Sequence, residues 1–211
     1  MTINTKTLAA IDIGTNAIRL FISNVEEYPT ETLFKKIAFL RVPIRLGEDV
    51  FTTGEIGQQK RKRLCETMQG FSYIMSAFNV ESYKAYATCA MREARNGKSV
   101  AEQIQKECDL NIEIISGTKE AETIFAGGMN EVVDDDKTYL YVDVGGGSTE
   151  VIVYSKSVKI EACSFPLGTV RMLNDAVDKE EMKHFKKWLK NITEKYTPDA
   201  IIGSGGNINK I

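Results

Sequence analysis

Two turns of the same residue types recur in the two halves of the chain and could bind phosphate. Leu8–Asn16 reads LAAIDIGTN and Leu140–Thr149 reads LYVDVGGGST, each an apolar strand ending in Asp, an aliphatic residue and Gly. Glycine lets backbone N–H groups approach an oxyanion, and concave sets of such amides bind phosphate. Asp12 and Asp143 stand where a carboxylate reaches a metal ion beside that phosphate. The repeat therefore predicts two half-domains closing on one cleft.

The composition indicates a soluble, cytoplasmic protein of one or two domains. The chain has 211 residues, of which 43% are apolar, and this is enough for a proper core. Its 27 basic and 29 acidic residues give no overall field that favours nucleic acid. No window approaches 18 uninterrupted apolar residues and the first residues lack a secretory pattern, so we expect no membrane association.

Histidine and cysteine chemistry is disfavoured by number and position. The single histidine, His184, falls among lysines beside the apolar stripe of a predicted helix, which favours a solvated position. The cysteines at 65, 89, 108 and 163 are widely separated, which favours free buried thiols over a zinc site or disulfides. Acid–base chemistry then falls to carboxylates, and metal binding to oxygen ligands, which favours Mg²⁺ or Mn²⁺.

The hydrophobic pattern predicts an α/β chain in which a β-β-β-α order occurs twice. We place the boundary in the polar turn near Asn130–Lys137, which gives domains 1–130 and 131–211. Asp178 is the expected N-cap of the last helix. The predicted strands are Leu8–Ile13, Ile18–Asn24, Leu33–Leu40, Ser82–Thr88, Asn111–Ile115, Tyr139–Val144, Thr149–Tyr154, Val158–Ser164 and Ala200–Ile202, and the predicted helices are Gln58–Ala77, Val100–Cys108, Thr118–Met129 and Lys179–Tyr196.

Six segments along the chain have the residue types of known phosphate-handling motifs. They are AAIDIGTNAIRL (Ala9–Leu20), ATCAMREARNG (Ala87–Gly97), IISGTKEAE (Ile114–Glu122), VDVGGGSTEV (Val142–Val151), FPLGTVRM (Phe165–Met172) and IGSGG (Ile202–Gly206). In this order they resemble the exopolyphosphatase and guanosine pentaphosphate phosphatase family. That family belongs to the actin-like ATPase superfamily, so the resemblance implies two ribonuclease-H-like domains with mixed sheets facing across a cleft. It also implies metal-dependent removal of the terminal phosphate from polyphosphate or guanosine pentaphosphate.

The resemblance assigns roles to particular residues. Glu120, in the S-G-x-x-E-A segment, matches the general base that activates water. Asp143 and Glu150 match carboxylates that position metal or water, and Asp12 with Asp143 would hold the metal. The remaining matches bind the substrate: Gly14, Thr15, Asn16, Arg92, Gly145, Gly146, Gly147 and Ser148 for phosphate, and Gly205 and Gly206 for the nucleotide side.

The sequence departs from the family at two positions, and the roles of two arginines stay open. Family members often have Ser where Thr15 and Ala17 stand, so the side chain at 17 offers no hydroxyl contact. Arg19 and Arg171 are further candidates for phosphate binding. The alternative for Arg19 is a cross-strand pair, and the alternative for Arg171 is a charge on a helix surface.

The motifs leave several functions and one question of extent open. Polyphosphate and guanosine pentaphosphate both present a terminal phosphoanhydride, and an ATP-dependent phosphotransferase or a nucleotide-binding module of the same superfamily is the alternative class. A homodimer is compatible with the sequence. We expect a fragment of a protein of roughly 300 residues, because the second unit is short and the apolar residues Tyr139, Tyr141, Val151 and Val153 would lack part of their cover.

Overall fold

The computed structural model describes residues 4–126, 134, 136–156 and 158–205. The chain forms two compact units, Met1–Ile114 and Ile115–Ile211. The first contains a five-stranded sheet of order β3-β2-β1-β4-β5, in which β1, β2 and β3 are antiparallel and β4 and β5 run parallel to β1. Its elements are β1 (Asn4–Ile13), β2 (Ile18–Glu27), β3 (Thr32–Val42), α1 (Leu46–Thr53), α2 (Gln58–Ala77), β4 (Ser82–Ala87), α3 (Cys89–Glu93), α4 (Gly97–Cys108) and β5 (Glu113–Ile114).

Only one face of the first sheet belongs to the apolar core. Ile11 and Leu20 lie on that face and are buried in the same cluster as Leu64 and Met68 of α2. Because side chains alternate along a strand, the residues next to these buried ones in each strand point to the opposite face. That face carries polar and partly exposed residues: Asp12, Arg19, Phe21, Phe39 and Arg41.

The second unit repeats this topology. Its four strands have the order β8-β7-β6-β9, with β6, β7 and β8 antiparallel and β9 parallel to β6. This matches β3-β2-β1-β4 of the first unit, so the repeat predicted from the two turns is present in the fold. The elements are α5 (Gly117–Ala126), β6 (Thr138–Val144), β7 (Thr149–Ser155), β8 (Val158–Phe165), α6 (Thr169–Leu173), α7 (Lys179–Tyr196) and β9 (Ala200–Ser204).

Helices cover both faces of the second sheet. Tyr139 and Tyr141 cluster with Ala121 of α5, whereas Val151 and Val153 cluster with Ile192 of α7. The expectation that the four sheet residues would lack part of their cover is therefore wrong, since their exposed fractions are 8, 6, 0 and 0%. The valines are covered by α7, and the tyrosines are covered by α5, which the sequence assigned to the first domain. Since α5 packs on β7 and β8, the compact units divide after Ile114, whereas the sequence placed the boundary at 130/131.

The sequence located the long helices and missed three short ones. The bounds of α2 and α7 are those predicted, and the Asp178 carboxylate caps α7 by accepting a hydrogen bond from the Glu180 N–H at 2.9 Å. The missed helices α1, α3 and α6 have only five to eight residues, which is too short for a helical period to show. The last predicted residues of α5, 127–129, lie outside the described residues.

The expected solvated position of the histidine is confirmed, and the expectation of free buried thiols holds for three of the four cysteines. The side chain of His184 is 60% exposed. All four cysteines are free thiols, and three of them are buried. None of the described helices combines the length and apolar character needed to cross a membrane.

Candidate active site

The first glycine turn joins β1 to β2 and is held from one side by the segment after β3. The Gly14 N–H donates to the Ala17 carbonyl at 3.2 Å and closes the turn. The Thr15 carbonyl accepts a hydrogen bond from the Gly47 N–H at 3.0 Å, and the Asn16 carbonyl accepts one from the Arg45 N–H at 2.9 Å. The start of α1 therefore fixes two peptide groups of this turn.

The second glycine turn, between β6 and β7, is built the same way. The Gly145 N–H donates to the Ser148 carbonyl at 2.9 Å. At the start of α6, the Thr169 N–H donates to the Gly145 carbonyl at 3.1 Å and the Val170 N–H to the Gly146 carbonyl at 2.8 Å. A third carbonyl, that of Gly147, accepts a hydrogen bond from the Arg171 Nε at 2.8 Å.

This anchoring determines where the amides of both turns point. The chain has no cis peptide bonds among its described residues, and in a trans peptide the C=O and the following N–H point in opposite directions. Because the carbonyls face the anchoring segments, the next N–H groups face away from them. Within the part of the chain that the structure describes, none of these N–H groups has an acceptor. Such sets of outward amides suit an anion, and they belong to Asn16, Ala17, Gly146, Gly147 and Ser148.

Two glycines that the sequence interpretation overlooked allow this anchoring. A Cβ on Gly47 would lie 2.3 Å from the Thr15 Cγ2, and one on Gly168 would lie 2.4 Å from the Gly146 carbonyl carbon and oxygen. Each glycine follows a buried leucine, Leu46 or Leu167, just after the third strand of its unit. The repeated Leu-Gly pair was thus a signal, present in the sequence, that the internal repeat extends to the anchoring segments.

The predicted carboxylates of the second unit share one face of its sheet. Asp143 lies directly opposite Glu150 in the β6–β7 pair, so both side chains point to the same face as Tyr141. Glu150 is only 2% exposed, and the Ser164 hydroxyl donates a hydrogen bond to its Oε1 at 2.8 Å. Two like charges opposite each other in a sheet repel, so this pair favours a cation or a donor nearby.

Helix α5, which carries Glu120, packs on the same face of the sheet. The helix starts after Ser116, whose Oγ accepts a hydrogen bond from the Lys119 N–H at 3.1 Å, as an N-cap does. Ala121 is buried against the tyrosines of this face, and the residue before it, Glu120, is half-buried. The ion pair between Glu122 and Lys159 of β8, at 3.3 Å, ties the helix to the sheet.

The end of β9 lies next to Asp143. The hydroxyls of Tyr141 and Ser204 are 2.5 Å apart. Burial raises the pKa of Tyr141, the Ser204 hydroxyl opposes this shift, and the nearby charges of Asp143 and Glu150 add to it. Gly205 has φ +96°, and a Cβ there would lie 2.7 Å from the Asp143 Oδ1, so only glycine fits. Its predicted partner in the nucleotide-side loop, Gly206, lies outside the described residues.

The first unit places Asp12 and Arg92 at the edge of its sheet that carries the first turn. Asp12 forms an ion pair with Arg19, its neighbour on β2. Burial raises the pKa of Asp12, and the charge of Arg19 opposes the shift. Since β4 is parallel to β1, its end meets this edge, where the Thr88 N–H donates to the Ile13 carbonyl at 3.2 Å. Helix α3 follows directly and carries Arg92, which is half-buried.

The structure bears on the alternative interpretations of Arg19 and Arg171. Arg19 makes the cross-strand pair that was its alternative interpretation. For Arg171 the alternative of a helix-surface charge is wrong, because its residue is 9% exposed and its guanidinium holds the Gly147 carbonyl. Thr15 is 5% exposed, with its methyl group beside Gly47.

No group of three or more His, Cys, Asp or Glu side chains that could hold a metal ion occurs among the described residues. A metal held in the second unit would therefore depend on the oxygens of Asp143 and Glu150. These two carboxylates fit a hard cation such as Mg²⁺, which usually keeps several waters and completes its shell with substrate phosphate.

Comparison with known proteins assigns the family. The model of the Ppx/GppA phosphatase family matches residues 21–207, so the chain belongs to that family. Exopolyphosphatase 2 of Mycobacterium tuberculosis is 28% identical over 170 residues, which are 78% of this chain and 53% of the relative. The bifunctional 3-dehydroquinate synthase/phosphatase of Fusobacterium nucleatum is 32% identical over 168 residues, 78% of this chain and 25% of the relative. The chain thus spans between a quarter and about half of these curated relatives.

Solved structures confirm the predicted fold class. An exopolyphosphatase from Cytophaga hutchinsonii superimposes with a TM-score of 0.84 at 25% identity, and it covers 97% of this chain and 68% of its own. The Aquifex aeolicus member of the Ppx/GppA family gives a TM-score of 0.76 at 27% identity, with coverage of 97% and 68%. The sequence resemblance therefore identified both the family and its α/β architecture.

Proposed function

We propose that the protein is a phosphohydrolase that releases terminal phosphate from inorganic polyphosphate. The observation that carries this proposal is the pair of turns whose carbonyls are anchored behind them and whose amides are left for an anion. One such turn would suit many phosphate ligands. Two of them, in a chain whose relatives include exopolyphosphatases, suit a substrate made only of linked phosphates.

Glu120 is the proposed general base. The oxygen of a water molecule attacks the terminal phosphorus, the bridging P–O bond breaks, and Glu120 accepts a proton from the water. The products are orthophosphate and a polyphosphate one unit shorter. The support is that α5 covers the sheet face that carries Asp143 and Glu150, and that the only histidine is exposed on α7.

Mg²⁺ or Mn²⁺ is the proposed cofactor; Asp143 and Glu150 are its candidate ligands in the second unit, and Asp12 is the candidate ligand in the first. When bound, the ion would offset negative charge on the phosphate oxygens. The protein's own contribution is to keep Glu150 oriented through Ser164 and to keep β9 close to Asp143 through Gly205. Arg92 is the proposed arginine for substrate phosphates, since a planar fork of donors suits them.

Phosphate release tests the proposal. The purified protein is incubated with polyphosphate and Mg²⁺, and orthophosphate is measured against time. Glu120→Gln should lower turnover by about 10²- to 10⁴-fold, the usual contribution of a general base, whereas Glu113→Gln, at an exposed position before the same helix, serves as the matched control. Near wild-type turnover of Glu120→Gln would remove the assigned role.

Guanosine pentaphosphate in a parallel reaction distinguishes the main alternative, because a guanosine pentaphosphate 5′-phosphohydrolase would release phosphate from it preferentially. ATP with a sugar acceptor tests the phosphotransferase alternative. Phosphate release from neither polyphosphate nor guanosine pentaphosphate would contradict the hydrolase proposal as a whole.

A further inference from the structure

Arginines 19 and 41 form a like-charge pair beside the first turn. They are direct cross-strand partners on β2 and β3, and Arg19 is in turn the partner of Asp12 on β1. Cross-strand partners point to the same face, and like charges in such positions destabilise a sheet. The arrangement is therefore not explained by the stability of the sheet alone.

Only one of the two arginines is neutralised. Arg19 pairs with Asp12, whereas Arg41 is exposed and forms no ion pair or side-chain hydrogen bond with any described residue. The row of three side chains carries two positive charges and one negative charge, so it has an excess positive charge at the edge of the sheet. An anion bound between the arginines would relieve their repulsion.

The position of Arg41 relative to the first turn is fixed by the backbone. Strands lie about 4.8 Å apart, so Arg41 is one strand spacing from Arg19 and two from Asp12. The chain after β3 is tied to the turn by the hydrogen bonds from Arg45 to Asn16 and from Gly47 to Thr15. The end of β3, which carries Arg41, is therefore held close to the amides of the first turn.

We infer that Arg41, with Arg19, binds a phosphate group of the polyphosphate chain at some distance from the phosphate held by the first turn. This inference rests on the proposed function. It adds a subsite on the face of the first sheet that is opposite its apolar core. Its ligand is a linear chain of phosphates, because the excess positive charge lies on β2 and β3 beside the turn. Only a ligand that extends beyond the turn reaches this charge. A short chain engages the turn without reaching this subsite.

Chain-length dependence tests the inference. For Arg41→Ala, the ratio of kcat/KM for long-chain polyphosphate to that for tripolyphosphate should fall about five- to tenfold, the scale of one charged hydrogen bond at a partly exposed site. Arg41→Lys should recover part of the ratio, because it keeps the charge and loses the fork. Lys36→Ala removes an exposed charge about 16 Å further along β3 and should leave the ratio unchanged.

Binding of long-chain polyphosphate, measured by titration calorimetry without divalent metal, separates this inference from the proposed function. If the wild-type protein binds the chain but releases no phosphate, the proposed function fails, and a loss of affinity in Arg41→Ala still supports the subsite. Equal effects of Arg41→Ala and Lys36→Ala, or equal effects on both chain lengths, would overturn the subsite even in an active enzyme.

Discussion

Substituting Gly168 by alanine should separate the second glycine turn from its anchor. The backbone of Gly168 is extended, with φ −141° and ψ 160°, so alanine adopts it without strain and the cost comes from space alone. The added Cβ would lie 2.4 Å from the carbonyl carbon and oxygen of Gly146 and 2.5 Å from the carbonyl carbon of Gly147. These are backbone atoms, which cannot rotate away as a side chain does.

The cost arises in one of two ways. If the turn stays in place, overpacking typically destabilises a protein by about 1–3 kcal/mol. If the turn withdraws, the clash is relieved but the hydrogen bonds from Thr169 to Gly145 and from Val170 to Gly146 are lost, at about 0.5–1.5 kcal/mol each. Either way the cost is about 1–3 kcal/mol, which should lower the Tm of a chain of this size by about 2–12 °C.

Thermal and urea unfolding measure this cost, and Gly70→Ala is the matched control. Gly70 lies inside α2 with nothing within 4 Å of its added Cβ, so alanine there should stabilise the protein by about 0.5–1 kcal/mol. Unchanged stability of Gly168→Ala would refute the close approach of α6 to the turn. A destabilised Gly168→Ala that kept full affinity for tripolyphosphate would refute the link between anchoring and phosphate binding.

Two further predictions test other parts of the structure. Gly47→Ala should destabilise the first unit through contact with the Thr15 Cγ2. Adding Thr15→Ser removes that methyl group and should restore part of the unfolding free energy, whereas no recovery in the double variant would contradict the assigned contact. Burial raises the pKa of the Cys65 thiol to about 11, so the folded state holds this proton more tightly than the unfolded state, and stability should fall as pH rises from about 9 to 11. In urea unfolding, wild type should lose up to about 2 kcal/mol more than Cys65→Ala over this range, and equal slopes would argue against the shift.

The sequence predicted what depends on local pattern. The two glycine turns, the repeated strand order, the long helices α2 and α7 and the Asp178 cap all follow from hydrophobic period and residue type. The family resemblance added the candidate carboxylates, and strand pairing then placed Asp143 and Glu150 opposite each other.

What the sequence did not predict depends on contacts between distant segments. The short helices α1 and α6 offer no period, and their role appears only when Gly47 and Gly168 meet the turns. Likewise, α5 reads as the end of the first half because it precedes the polar turn, but Ala121 packs on the second sheet. Arg171 reads as a surface charge because the carbonyl that it binds, on Gly147, is far away in sequence.

We propose that the amides of the two anchored turns bind the phosphates of the substrate. A titration of ¹⁵N-labelled protein with tripolyphosphate, followed by amide chemical shifts, tests this proposal. We predict that the signals of Asn16, Ala17, Gly146, Gly147 and Ser148 shift during the titration and reach saturation. Shifts confined to other residues, with these five amides unaffected at saturating tripolyphosphate, would contradict phosphate binding by the turns.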